Sequence, residues 1–553
     1  MGKVSRKVKA KVAKVRNEAF RPPAPPERRM SWWKQARAKW LSFLRRLIDL
    51  LSGVLFRVAY AIKGKSSMPP IRNLLLLEPA MSIAAKIRNR KISSEEVVKT
   101  FISRVEEINP ILNCVVDQRF EEALEEARAV DKLLATTDKT AEEIEKETPF
   151  LGVPFSTKDA IKVKGMSFTA GLYCRKDIRA DGDAETVALL RAAGAIPLVI
   201  TNTSEVCMWW ESHNRVYGRT NNPYDTSKIV GGSSGGEACN LSAAGTPFGL
   251  GSDIGGSIRM PCFFNGIFGH KPTRCVISNH GEWPEASDTH QTYLGTGPMS
   301  RFATDLVPMV KILAKKDLRL DEKVDLRKMR IYYMEDDGGS PHLSPVDPDI
   351  RQAMRKVIEY LSQAHGLKPK KVDFPKLRRA VSIWLAKMNL VGVPDFCQQL
   401  ANCEGSINLG WELAKWMVGQ SNHTFIALMT AFTERFGVQP GTPHYDRLFN
   451  MCQDLHNEFQ TLLGEDGVFL YPTHPTPAPY HNEPVLRPFN FAYTAIINVL
   501  GFPATAVPLG LSRDGLPIGI QVIGGLLSDR LTLAMALELE KAFGGWVPPK
   551  IDV

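Results

Sequence analysis

The sequence predicts an α/β fold in which helices cover a sheet on both faces, with an amphipathic helix set in front of it. Three observations predict this. Between residues 149 and 275, short apolar runs such as LGVPFSTKD and AIPLVITNTSE alternate with glycine-rich turns and helical stretches such as TVALLRAAG. Strands alternating with helices in this way build a sheet buried on both sides. Strand-like runs return late in the chain as GVFLYPTHP, ATAVPLGL and LPIGIQVIG. Residues 41–62 divide into a polar and an apolar side on a helical wheel.

The elements follow in chain order. Residues 1–66 hold 18 Lys/Arg against 3 Asp/Glu, whereas residues 67–553 hold 52 against 56. The net charge of +11 therefore belongs to an N-terminal arm, and such asymmetry suits an anionic surface. Residues 1–39, with Pro22-Pro23 and Pro25-Pro26, read as a flexible basic arm. A mitochondrial targeting segment would favour Arg and Ser over this Lys-rich start.

In residues 41–62, Ser42, Arg45, Arg46, Asp49, Ser52, Gly53, Arg57 and Tyr60 share one sector of about 140°. Leu44, Leu47, Ile48, Leu51, Val54, Leu55, Val58 and Ile62 fill the opposite side, and Phe56 is an apolar intruder among the polar residues. A spanning helix would bring Asp49 and Arg57 to mid-membrane at about 2.5–3.5 kcal/mol each. An in-plane helix avoids that penalty and fits the basic arm. A helix packed on the protein's own core is the rival reading.

Helices are expected near 93–108 and 119–135, and a polar loop over 136–148. In the second half, helical patterns lie near 348–363, 376–389, 410–432, 442–463 and 529–543. The expected division is residues 1–68 as arm and membrane-associating helix, and 69–553 as one catalytic domain. Nine scattered cysteines without a C-x-x-C pair argue against a disulfide framework or zinc site and for a reducing compartment. No metal or cofactor is expected.

The chemistry concentrates in residues 158–273. GGSSGG at 231–236 lies between sheet-like segments and lacks the Lys-Ser/Thr tail of a phosphate-cradling loop. GSDIGGSIRMP at 251–261 has a Gly-Gly turn from which Ser257 opens a helix-like stretch. Such a turn converges backbone N–H groups on one point, as a developing oxyanion requires. A serine needs a base. No histidine lies between His213 and His270, and His270 stands in the loop-like GHKPT. Lys158, at the end of the apolar run LGVPFSTK, is the better candidate base, because desolvation lowers a lysine's pKa; a solvated surface charge is the ordinary alternative for a lone lysine, and position alone does not displace it.

The segment 231–273 resembles the signature of the amidase-signature family. The likeness runs from about residue 75 to the C-terminus and includes LGVPFSTKDA, PLVITNTSE, TNNPYD and LPIGIQVIGG. Within the family, SEVCMWWES, RMPCFFNGIFGHKP, RPFNFAYT and EKAFGGW are similar to the fatty-acid amide hydrolase branch. The resemblance implies an α/β/α sandwich with a large central mixed sheet. It implies an amide hydrolase in which Ser257 is the nucleophile, Ser233 the bridging serine with a cis peptide bond, and Lys158 the base and acid. It assigns the oxyanion hole to the N–H groups of Ile254, Gly255, Gly256 and Ser257.

Val206, Met208, Trp209 and Trp210 border the acyl-chain channel by the same resemblance, and 410–432 matches a membrane-facing cap more weakly. The expected substrates are lipid-like amides, both primary fatty amides and N-acylethanolamines. The alternatives are a soluble amidase for small or aryl-acetamide-type amides and the glutaminase component of a transfer-RNA amidotransferase. No aromatic-interleaved basic patch supports nucleic acid as a partner. The expected setting is a cytosol-facing membrane of the endoplasmic reticulum or lipid-droplet type, met through residues 41–62, with a homodimer as the expected assembly.

Overall fold

The structure, a computed structural model, describes residues 32–552. The basic arm up to residue 31 lies outside the described residues. Among the described residues thirteen strands form: β1 Val115–Gln118, β2 Pro154–Lys158, β3 Ile196–Thr201, β4 His213–Asn214, β5 Gly218–Arg219, β6 Phe248–Asp253 and β7 Phe268–Lys271, then β8 Gly295–Ser300, β9 Arg330–Tyr333, β10 Lys370–Lys371, β11 Gly467–Pro472, β12 Ala504–Leu511 and β13 Pro517–Gly524. Eleven join one sheet in the order β1-β3-β2-β6-β8-β7-β12-β13-β11-β9-β10, and β4 pairs with β5 alone.

The sheet is mixed. Strand β2 runs parallel to β3 and β6, while β6 is antiparallel to β8. Every residue of β2, β3 and β6 is buried. That explains why they read as unbroken runs rather than as alternating patterns. Three helices near the centre, Gly235–Ser242, Arg259–Asn265 and Ala492–Leu500, are buried along their whole length.

Most expected helices form within a few residues of their expected bounds, and Asp529–Phe543 matches them. Four readings change. The loop expected over 136–148 contains the helix Ala141–Glu147, started by a Thr140–Glu143 capping box and buried only at Ile144, so periodicity had one apolar residue to work with. The helix expected over 410–432 divides into Leu409–Met417 and Phe425–Glu434. The break contains Gly419 at φ +74°, and Thr424 caps the second helix. His270, read as loop, is in strand β7, where glycine and proline around it imitate a turn. The N-terminal helix runs Trp32–Lys63, nine residues longer than expected at its start, so residues 32–39 are helix rather than arm.

That helix packs with its polar side inward. Asp49 forms an ion pair with Arg487, Nε lying 3.1 Å from its carboxylate, and accepts from Ser344 Oγ at 3.2 Å, and Arg487 Nη2 also lies 2.8 Å from Glu483. Arg45 donates to the Leu486 carbonyl at 2.7 Å, and Ser52 is buried. The Tyr60 ring stacks on Tyr480 at 5.3 Å, and Phe56 stacks on the same ring at 6.4 Å. The apolar intruder in the polar sector thus has an aromatic partner on the body. Leu47, Leu50, Leu51, Val54, Leu55, Val58 and Ile62 are exposed. The helix does pack on the protein, as the rival reading has it, but through its polar side. No helix among the described residues is long and apolar enough to cross a membrane.

Candidate active site

Three local structures deliver the residues. Strand β2 ends at Lys158, paired with Thr201 of β3, and the amine enters the space beside β6 with the residue fully buried. Ser233 precedes the helix Gly235–Ser242, and its carbonyl is held by the Thr203 hydroxyl at 2.8 Å. The Gly232–Ser233 peptide is cis, as the resemblance implies. Ser257 sits on the turn between β6 and the helix Arg259–Asn265, and Ser234 N–H donates to its carbonyl at 3.2 Å. Ser257 is 8% exposed and Lys158 is 0%, so a substrate could reach the serine while solvent does not reach the lysine.

Lys158 Nζ donates to Ser233 Oγ at 2.8 Å and to Ser252 Oγ at 3.0 Å. Among the described residues, no hydrogen bond joins the Ser233 and Ser257 hydroxyls in this conformation. Catalytic contacts are often loose before substrate arrives.

The turn 254–257 is fixed by its carbonyls. Trp384 Nε1 donates to Ile254 O at 3.0 Å, and Thr494 Oγ1 donates to Gly255 O at 2.8 Å. In a trans peptide the N–H points opposite to the carbonyl. Holding Ile254 O against Trp384 therefore turns the Gly255 N–H to the other side. The Gly256 N–H donates to Asp253 Oδ1 at 2.7 Å, so it is already engaged. Gly256 has φ +123°, and a Cβ there would lie 2.0 Å from Thr494 Oγ1; only glycine fits.

Asp253 anchors the turn. Its carboxylate also accepts from Ile258 N and Arg259 N and pairs with the Arg259 guanidinium at 3.0 Å, both side chains fully buried. Burial resists the charge, but Arg259 and Asn498 outweigh it and hold the carboxyl down at about 2. Two other buried carboxyls flank Lys158. Burial pushes Glu237 up to about 8 against its bonds from Ser156 and Thr201. Burial likewise pushes Glu282 up to about 7 against the Thr296 hydroxyl and the nearby Lys158.

The four residues expected at the channel stay neighbours but have different surroundings. Val206 is buried with Leu172, Phe396 and Leu428, under the helices 409–434. Trp210 is buried against Phe264 and His474. Met208 and Trp209 line a cavity of about 30 Å³ together with Glu205, Thr424, Ile426 and Val485. Glu205 ties that wall together, accepting from Thr424 N and contacting His423 Nδ1, each at 2.8 Å.

Sequence reasoning missed Ser252, Glu237, Glu282 and Trp384. Ser252 and Glu237 stood inside the segments that drew attention, but only distances single them out. Glu282 and Trp384 come from stretches with no chemical pattern.

Comparisons with known proteins identify the family. The chain is 46% identical over 519 residues to "Fatty-acid amide hydrolase 2" of Homo sapiens, covering 92% of this chain and 97% of that one. It is 45% identical to "Fatty-acid amide hydrolase 2-A" of Danio rerio, with the same two coverages. A solved structure described as "Fatty acid amide hydrolase" superposes with a TM-score of 0.68 at 23% identity, over 86% of each chain. A solved bacterial aryl acylamidase superposes with a TM-score of 0.66 at 20% identity, over 84% of this chain and 96% of that one. Likeness at that identity establishes the fold. The family model described as Amidase matches residues 96–533. The chain therefore belongs to the amidase family and is an amide hydrolase.

Proposed function

We propose that this chain hydrolyses fatty-acid amides to free fatty acid and amine through an acyl-enzyme on Ser257. The uncharged Lys158 amine takes the Ser233 proton as Ser233 takes the Ser257 proton. Ser257 Oγ attacks the amide carbon, and the carbonyl electrons move onto oxygen. The N–H groups of Ile254, Gly255 and Ser257 face that oxyanion, with Gly256 shaping the turn between them. The proton returns through Ser233 to the nitrogen, the C–N bond breaks, and the amine leaves. Water attacks the Ser257 ester and gives its proton to the same relay, releasing the fatty acid.

One observation carries this reading: a fully buried lysine whose two hydrogen-bond partners are neutral hydroxyls, Ser233 and Ser252. Those contacts put the amine within proton-exchange distance of Ser233, as a base acting through that serine requires.

The acyl preference rests on the relatives named as fatty-acid amide hydrolases and on the apolar stripe of the helix Trp32–Lys63. We read residues 1–68 as a membrane-contacting arm and 69–553 as the catalytic domain. The stripe lies in the plane of a membrane together with exposed Trp411, Met417 and Phe436 near the 409–434 helices. Nine unpaired cysteines suit its cytosolic face, of endoplasmic-reticulum or lipid-droplet type.

The second reading is an amidase for small or aryl-acetamide-type amides. A panel of primary amides from acetamide to oleamide separates the two. kcat/KM rising at least about tenfold from short to long chains, and absent in Ser257→Ala, supports the first. A flat or falling series supports the second.

A further inference from the structure

Ser252, the second partner of Lys158, leads to a buried carboxyl. Ser252 stands opposite Thr296 in the register of β6 and β8. The Thr296 hydroxyl contacts Glu282 Oε1 and lies 2.8 Å from Asn279 Oδ1, and the neighbouring Ser252 hydroxyl is among the groups that favour the charged form of the same Glu282 carboxyl. Glu282 enters on a turn bridged to Ile161, three residues beyond Lys158.

Counting protons gives these contacts a direction. The Thr296 hydroxyl has one proton and meets two oxygens. Asn279 Oδ1 can only accept, and it already takes the Thr296 N–H at 3.1 Å. The set is satisfied when Thr296 donates to Asn279 and receives a proton from a carboxylic Glu282. Glu282 then accepts from the Ser252 hydroxyl, and the Ser252 oxygen accepts from a Lys158 N–H. Every donor along this arm points away from the lysine. An amine whose N–H is committed to Ser252 keeps its lone pair for the Ser233 proton.

We propose that Glu282 is a positioning residue for the proton relay, acting through Ser252 to fix which way the Lys158 amine faces. This rests on Lys158 being the base. The burial that pushes Glu282 up to about 7 agrees with a carboxylic acid at the end of the arm. Once ionised, Glu282 places an anion near the amine and favours the inactive ammonium. The other titratable group set against Lys158 is Glu237, held by Ser156 and Thr201 and pushed up to about 8.

The test is kcat and KM on a water-soluble amide from about pH 5.5 to 9.5 for the wild type, Glu282→Gln, Ser252→Ala, Ser252→Thr and Lys158→Ala. Glutamine copies the carboxylic acid, donating to Thr296 and accepting from Ser252, but cannot ionise. Its acidic limb of kcat/KM should lie at least about half a pH unit below the wild-type limb. Ser252→Ala should lower kcat at least about tenfold with KM little changed, and Ser252→Thr should restore most of it. The position of a pH limb does not depend on the folded fraction, so that readout survives partial misfolding. A Glu282→Gln limb that coincides with the wild-type limb, or a Ser252→Ala kcat within about threefold of wild type, overturns the inference. An amidase kcat/KM for Lys158→Ala within about tenfold of wild type sinks instead the reading beneath it.

Discussion

Ser257, Ser233 and Lys158 reach one place from a turn, a pre-helical loop and a strand end, and their proposed duties diverge with the leaving group. An amine departs only when protonated, whereas an alkoxide leaves with less help. Lys158→Ala should therefore lower kcat/KM for an amide by about 10²–10⁴-fold and for the matching ester by clearly less. Paired initial-rate assays on an amide and its isosteric ester read this, and equal losses would remove Lys158 as the acid. Both serines and the lysine were legible in the sequence because glycine clusters and an apolar run frame them. Glu282 was not, since its role comes from sheet register and a turn that place it near Ser252 across a gap of thirty residues. The Asp253–Arg259 pair lay within the quoted signature, but burial and geometry alone show that it consumes the Gly256 N–H.

Among the elements, the helix Trp32–Lys63 departs most from ordinary packing. Arg45, Asp49, Ser52 and Tyr60 bind it to residues 480–487, and leucine and valine face outward. The wheel showed the two sides, but the side that would meet the body depended on Arg487 and Tyr480, more than 400 residues away. Burying a leucine is worth about 1.5–3 kcal/mol. Leu51→Glu with Leu55→Glu should thus weaken binding to phosphatidylcholine/phosphatidylserine vesicles at least about 100-fold. Turnover of a water-soluble amide should stay near wild type. Vesicle sedimentation beside that assay checks both, and undiminished binding would show that the stripe does not meet the lipid. The 409–434 segment shows the complementary limit: apolar content predicted helix throughout, and the glycine-bearing break decided otherwise.

Across the whole molecule, burial governs how stability responds to pH. Burial raises Asp159 to about 6, Glu282 and Glu540 to about 7, and Glu237 to about 8. The unfolded chain releases these protons first, so each group stabilises the fold fully below its unfolded value, and this stability is lost as pH rises through its folded value. His213 and His474, lowered by burial to about 4 and about 3, act in the opposite sense up to their unfolded value of 6.5. The acids outnumber them, so the thermal midpoint should fall from about pH 5 to pH 8. Glu237→Gln should flatten that fall, as differential scanning fluorimetry across the range would record. A midpoint that climbs steadily over the range, or a Glu237→Gln slope equal to wild type, contradicts the assignment.

The inverted seating of the N-terminal helix has a practical corollary for handling this enzyme. Its greasy flank is displayed permanently, not hidden until some trigger releases it, because the hydrophilic flank is already spent on the body. Stripped of detergent, copies of the chain will satisfy those flanks against each other. Stoichiometry is therefore best measured both with and without an amphiphile.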